Sequence, residues 1–466
     1  MGISRLSCRA LPFALYKLLA LSVPKRQSDE TCFDFMPTTI AVPCRDMEVL
    51  MAAREYSLVH NWITTIALLL ISTTALPASA QTLSIIHHFR GGASAGNPAF
   101  QLVEDPAGNL YGTTSWGGAV RQCQGSGCGG VYRLSPNGNQ WTYTELYDFH
   151  AAAPYNLILD AAGNLYGALS GGGTYGAGLV FELSPTPTGP WTFTPLYSFT
   201  GGSDGSLPAA GLTLDAEGNL YGTTRHGGDS ANLGTVFELS PQPGGVWTEQ
   251  VLWAFIFRSD AGFNPNAGVV FDTQGNLYGT TDQAAANGYG TVYKLTKGAS
   301  GWTAALLYQF TDGTDGADPE APVTIDAAGN LYGTTITGGN KKSPFGTGTV
   351  YELSPDGSGN YSFQVIHIFG KTGQSYYPVV LDPSGNLIGV AFGGTADPAG
   401  FVFKLTHSGS AWNYSLLHGF DGNNGFGPNA VMVAASGNLF GVTNAGGVAG
   451  CSNDSGCGVV FELTNP

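Results

Sequence analysis

The residues with the most chemistry in them are departures from an otherwise repetitive chain. Arg225 and His226 stand side by side in one repeat and Asp282 in the next, while Trp116, Arg258, Tyr376, Tyr377 and Phe392 fall in comparable segments of others. His226 and Asp282 are the residue types of a general acid and base, and Arg225 would steady a carboxylate, so a hydrolase or lyase acting on polysaccharide is one reading. Without catalysis, the same set is a binding surface on which rings stack against a sugar or peptide and Arg and Asp make charge-assisted hydrogen bonds. The binding reading is preferred, because the sequence shows no nucleophile motif, no metal-ligand spacing and no charged cluster in the innermost strands. Asp312, Asp315, Asp318 and Glu320 are a weaker alternative for calcium, without a full EF-hand spacing, and no other cofactor is implied.

Of 7 cysteines, Cys8, Cys32 and Cys44 lie near the start, leaving Cys123, Cys128, Cys451 and Cys457. Each of these pairs sits in a Gly-rich loop that can fold back on itself, so bridges within loops are favoured over cross-pairing. An even count suits export into an oxidising compartment. Zinc held by all four is disfavoured, since the short two-residue ligand spacing is missing.

The chain of 466 residues has 69 Gly and 26 Pro, is 43% hydrophobic and 12% aromatic, and only 11% charged. That excludes disorder and points to many tight turns. The net charge of -15 repels phosphate backbones and anionic lipid surfaces, so nucleic-acid binding is excluded.

Residues 51–80 carry Arg54 and His60, an apolar run from Trp62 to Leu76, and a small-residue site at Ala78-Ser79-Ala80. This is the pattern of a secretory signal peptide cleaved before Gln81, and the run is shorter than the roughly 20 residues a spanning helix needs. Met51 is the expected initiator, which makes residues 1–50 an upstream misassignment or non-native extension. The mature chain, 81–466, is then a single domain with no transmembrane segment, expected at the cell surface, outside the cell or in the periplasm. A monomer is expected, with an extracellular glycan, peptide or protein as partner.

The element that must position the candidate residues is a repeat. Gly-Asn-Leu-aromatic-Gly begins at Gly108, Gly163, Gly218, Gly275, Gly329, Gly385 and Gly437, with Ile388 alone replacing the aromatic residue. Spacings of 52 to 57 residues match a four-stranded propeller blade. In the third unit the strand signals are Gly211–Leu214, Leu220–Thr224, Thr235–Leu239 and Trp247–Phe255. The mature chain opens on Gln81–Phe89, which aligns without a gap on Trp412–Phe420, a fourth strand, and it ends on Val459–Leu463, a third strand. The expected fold is therefore all-β: a seven-bladed β-propeller of four-stranded blades, closed by the N-terminal strand completing the last blade. Loops joining strands two and three, and those joining blades, share one face, where the candidate residues belong.

The unit D-x-x-G-N-L-Y-G-T-T-x-x-G-G, followed by G-T-V-F-E-L-S-P and W-T-x-x-x-L-Y-x-F, resembles the GloVer tandem repeat of bacterial extracellular proteins over nearly all of 81–466. The core also resembles two-component-regulator propeller repeats. The GloVer resemblance implies a secreted or surface-displayed repeat protein of no established activity. Some relatives carry a C-terminal sorting anchor, from which this chain departs by closing at Pro466.

The recurring charges have structural explanations. Asp105, Asp160, Asp215, Asp272, Asp326 and Asp382 each precede the marker by three residues, where a carboxylate caps its own turn, while the seventh unit has Ala434. In strand three, Arg133, Glu182, Glu238, Lys294, Glu352, Lys404 and Glu462 put opposite signs at most junctions, which predicts ion pairs between blades, Arg133 with Glu462 among them. Glu104, the main charged exception of the innermost strands, is expected at a solvated rim.

Overall fold

The computed structural model describes residues 81–91, 96–117, 128–187, 189–208, 210–257, 261–284, 288–340, 346–370, 373–393, 399–409, 411–448 and 456–466. The leader call on 1–80, Arg258, Cys123 and Cys451 lie outside them. Among the described residues the strands form seven antiparallel sheets, each a four-stranded blade. In blade 1 these are Gly96–Glu104, Leu110–Trp116, Gly130–Asn137 and Gln140–Asp148, innermost first. Blade 3 has its innermost strand broken into Ser206–Pro208 and Thr213–Leu214, both paired with Leu220–His226.

The ring closes as the sequence predicts. Strand Thr82–His88 pairs antiparallel with Val459–Thr464, from Thr82 opposite Thr464 to His88 opposite Val459, and so supplies the fourth strand of blade 7. This pairing hides the edge that an open array would present to other chains.

In six of the seven blades the turn between strands one and two is built around an aspartate. Asp272 Oδ1 accepts the Gln274 and Asn276 backbone N–H groups, at 2.9 Å each. Its Oδ2 accepts the Asn276 side-chain amide at 2.7 Å and the Tyr278 hydroxyl at 2.9 Å. Gly275 has φ +81°, a conformation costly for residues with a Cβ, which explains the first marker glycine. The second marker glycine answers a different need. A Cβ on Gly222 would stand 2.6 Å from Phe237 Cζ, because the strand-three aromatic ring lies directly on that backbone.

The junctions between blades are aromatic. The ring ending strand four of one blade packs on the strand-three ring of the next: Phe149 on Phe181, Phe199 on Phe237, Phe255 on Tyr293, Phe310 on Tyr351, Phe369 on Phe403 and Phe420 on Phe461, with centroids 5.1–5.3 Å apart. These side chains are at most 3% exposed. The expected ladder of ion pairs between blades is not what joins them. Among the described residues the ion pairs are Arg225–Asp282 and Lys404–Asp382, and the second lies within one blade. Glu182, Glu238 and Glu352 instead accept the hydroxyls of Ser184, Ser240 and Ser354. Lys294 lies over the Tyr278 ring at 5.3 Å. Across a seam, Glu352 Oε2 also accepts the Trp412 indole N–H at 3.3 Å, a neutral partner rather than a cation.

Glu104, partly exposed at the end of the innermost strand, also has a partner. Its Oε2 accepts the Ala435 backbone N–H at 2.9 Å, so it caps the turn of blade 7 from blade 1, at the junction where Ala434 has no carboxylate of its own.

Candidate functional site

The innermost strands surround a cavity of about 860 Å³. It runs from Asn266, Glu320 and Tyr376, just ahead of strand one, to Glu104 and Val433 at the opposite end. Sequence reading placed the inward residues only two positions before each aspartate. It missed the polar wall nearer the variable face, made by Gln101, Asn156, Asn266 and Glu320. Position explains part of the omission: Asn266 and Glu320 precede the strand signals and look like loop residues.

The structure brings Arg225 and Asp282 together. Arg225 Nη2 lies 3.4 Å from Asp282 Oδ2, joining blades 3 and 4, with the arginine side chain 43% exposed and the aspartate side chain 10%. Asp282 Oδ1 is buried and has no hydrogen-bond partner. Burial pushes this carboxyl up to about 6. Arg225 acts against that shift, and the charges of Glu320 and Asp318 add to it. Glu320 is raised too, first by burial, with Arg225 opposing, Asp318 adding and a hydrogen bond from the Asn266 side chain opposing.

His226 is not part of this pair. Arg225 and His226 are successive residues of strand Leu220–His226, so pleating sends their side chains to opposite faces of the sheet. Thr223, on the Arg225 face, donates to the Ala267 carbonyl of blade 4 at 2.9 Å, which identifies that face as the one toward Asp282. His226 Nδ1 is buried without a partner.

Trp116 ends the second strand of blade 1 and is 43% exposed. Tyr376 is 42% exposed, its hydroxyl 3.1 Å from Gln374 Oε1. Phe392 packs edge-on against Phe426 at 5.5 Å, both of them exposed. Tyr377, expected on the surface beside Tyr376, is instead turned into the channel wall, where burial pushes its hydroxyl up to about 12. The adjacent position inverts the side-chain direction, so only one of the two tyrosines reaches the face.

The four proposed calcium ligands have different surroundings. Asp315 caps its own turn, accepting the Thr311 N–H at 2.8 Å, the Thr311 hydroxyl at 2.7 Å, the Gly313 N–H at 2.9 Å and the Tyr308 hydroxyl at 3.1 Å. Asp312 has φ +57° in that turn. Asp318 accepts the Thr337 hydroxyl at 2.8 Å, and Glu320 lines the channel. Among the described residues no three His, Cys, Asp or Glu side chains are gathered as a metal would need. Cys128 and Cys457 are 2% and 0% exposed, in the cores flanking blades 1 and 7.

Solved structures of related architecture are remote. The extracellular domain of a hybrid two-component system from B. thetaiotaomicron matches at a TM-score of 0.49 and 9% identity, over 82% of this chain and 39% of that one. This chain thus spans well under half the length of that relative. A protein from Lactobacillus plantarum matches at 0.45 and 16% identity, over 70% of this chain and 85% of that one. A Bacteroides uniformis protein described as a 6-phosphogluconolactonase matches at 0.45 and 15% identity, over 67% and 84%. At these distances nothing about chemistry carries over. No curated protein matches the sequence. No helix among the described residues is long and apolar enough to cross a membrane. The Gloeobacter/Verrucomicrobia repeat, in contrast, matches residues 73–256 and 234–359, well over half of the chain, and five of the seven turn markers fall inside the match. With the same turn and seam built from those markers blade after blade, this chain belongs to the Gloeobacter/Verrucomicrobia repeat family.

Proposed function

We propose that this protein is an exported, noncatalytic propeller that binds a glycan or peptide on the face carrying the loops between strands two and three. Trp116, Tyr376 and Phe392 supply ring surface, and Arg225 and Asp282 supply charge. Arg258 belongs to the same set from its place in the repeat. One observation carries the reading: the half-exposed Arg225 guanidinium is held by the nearly buried Asp282 carboxylate across the seam of blades 3 and 4, while Trp116, Tyr376 and Phe392 are exposed. The opposite facing of Arg225 and His226 weighs against the acid–base pair of a hydrolase or lyase.

Export is supported by the leader pattern of 51–80 and by the burial of Cys128 and Cys457, which suits bridges to Cys123 and Cys451 within their loops. The test is a glycan, polysaccharide and peptide array with the mature protein, with calcium and with chelator, followed by a product assay on each hit. Binding lost in Trp116→Ala supports the reading. Product release would replace it with an enzymatic one, and silence on every array would overturn it.

A further inference from the structure

Glu320 puts a carboxylate into the wall of the central channel. Glu320 lines the cavity and takes a hydrogen bond from Asn266, while Asp282 and Asp318 stand close enough for their charges to be felt, and Arg225 is the cation that acts on both Glu320 and Asp282. Two carboxylates, Glu320 and Asp282, thus share one guanidinium, and Asp318 adds its charge to both. Asp282 Oδ1, nine-tenths buried with the rest of its side chain, has no hydrogen-bond donor to offset it. These carboxylates do not converge on one point, which suits an ammonium on a bulky ligand better than a bare metal ion.

The rest of the cavity wall fits a sugar. Between Ala99 and Val103 the pairing register of blade 1 slips, and the bulge carries Phe100 in a left-handed conformation, φ +65°, into the cavity wall. Its ring lies 5.2 Å from that of Tyr155, another wall residue. Bulges of this kind re-aim a side chain. Tyr376, from blade 6, adds a third ring to the wall, which the amides of Gln101, Asn156 and Asn266 also line. A volume of about 860 Å³ accommodates a few sugar rings.

We propose that the channel mouth is the binding site for a short oligosaccharide carrying protonated amines, one ammonium seated against Glu320 and the sugar rings against Tyr376, Phe100 and Tyr155. This rests on the ligand-binding reading above and names its ligand. Glu320 is the direct partner of the amine. Arg225 is the resident cation, and it competes with the ligand for Glu320.

The test is calorimetric titration of the mature protein with the tetramer of glucosamine and with its fully N-acetylated counterpart, near neutral pH in chelator and again in calcium. The glucosamine tetramer is expected to bind at least tenfold tighter than the acetylated one, and Glu320→Gln is expected to remove that preference. Arg225→Gln is expected to tighten amine binding severalfold, an effect of opposite sign that mere loss of structure does not produce. Unchanged melting temperatures of Glu320→Gln and Glu320→Asp separate lost contact from lost fold. Equal affinity for both tetramers, or a preference that survives Glu320→Gln, overturns the amine assignment while leaving the ligand-binding reading intact. Tighter binding of a lysine peptide than of the tetramer overturns the sugar assignment. Silence toward the tetramers with Trp116-dependent hits elsewhere on the array overturns this inference alone, and silence on both overturns the two readings together.

Discussion

Phe89, the residue that follows the N-terminal strand, packs edge-on against Tyr132 of blade 1 with ring centroids 5.2 Å apart. The contact has the geometry of the six other junctions and forms the seam between blade 7, which the N-terminal strand completes, and blade 1. Phe89 is 1% exposed and its backbone N–H donates to the Gly458 carbonyl at 3.1 Å, so the same residue ties ring to ring and strand to strand.

Closure should therefore be the weak link most sensitive to truncation of one side chain. Phe89→Ala is expected to cost about 3–5 kcal/mol, as for other buried phenylalanines. Because the seam lies between the first and last blades, it should also raise the rate of opening at that junction. Hydrogen exchange should show the loss of protection concentrated in Thr82–His88 and Val459–Thr464. Uniform loss around the ring would contradict a localised seam.

The seventh turn offers a double-mutant cycle. Ala434 keeps the turn geometry of the aspartates: its N–H donates to the Asn438 carbonyl at 2.9 Å, and Gly437 has φ +84°. Ala434→Asp is expected to stabilise by about 1 kcal/mol through capping. Glu104→Gln alone should destabilise by about 1 kcal/mol, since the Ala435 N–H then loses a charged acceptor. In the Glu104→Gln background the gain from Ala434→Asp should be larger, because the two carboxylates no longer repel. Strict additivity in urea unfolding would argue that Glu104 does not serve this turn.

In the outermost strands, burial first, and then the hydrogen bond and charge of Asp148, push Glu145 up to about 8. Burial, with Asp204, pushes Glu249 up to about 7. A carboxyl raised in the folded state stabilises fully below its ordinary value of 4.5, and that contribution is lost as pH rises through the folded value. His87 and His367 are held down to about 4 by burial, so their contribution is present above 6.5 and is lost as pH falls. Between about pH 6.5 and 8.5 the carboxyls decide the slope. The melting temperature should fall by a few degrees across that window, after allowing for the half-exposed setting of Glu145. Glu145→Gln should flatten the slope, and a melting temperature that rises over the window would contradict it.

At the channel mouth, Arg225→Gln removes the opposing charge from Asp282 while Glu320 and Asp318 remain. The Asp282 carboxyl should then titrate above its value of about 6 by roughly one unit. Carboxyl-carbon NMR across pH 4 to 9 measures it, and an unmoved titration would mean that the 3.4 Å pair is absent in solution.

The amino-acid sequence determined the repeat, the four strands of each blade, the capping aspartates and the closure by Gln81–Phe89. It could do so because each follows from local spacing: a turn is marked by its glycine, in six blades with a carboxylate three residues before it, and a strand by its alternation, whatever surrounds them. Only the tertiary structure decided which neighbours meet. Arg133 and Glu462 look complementary in sequence, but the seams are filled by Phe89, Tyr132 and their counterparts, whose buried rings leave the charges to serine hydroxyls and tyrosine faces. Arg225 and His226 are adjacent in the chain and parted by the pleat, whereas Arg225 and Asp282, 57 residues apart, meet because successive blades bring the same strand end to the same place. Glu320 lay in a segment that resembled a calcium loop. It lines the channel because the residues ahead of strand one turn inward, a direction that depends on seven blades closing around an axis and that no local spacing encodes.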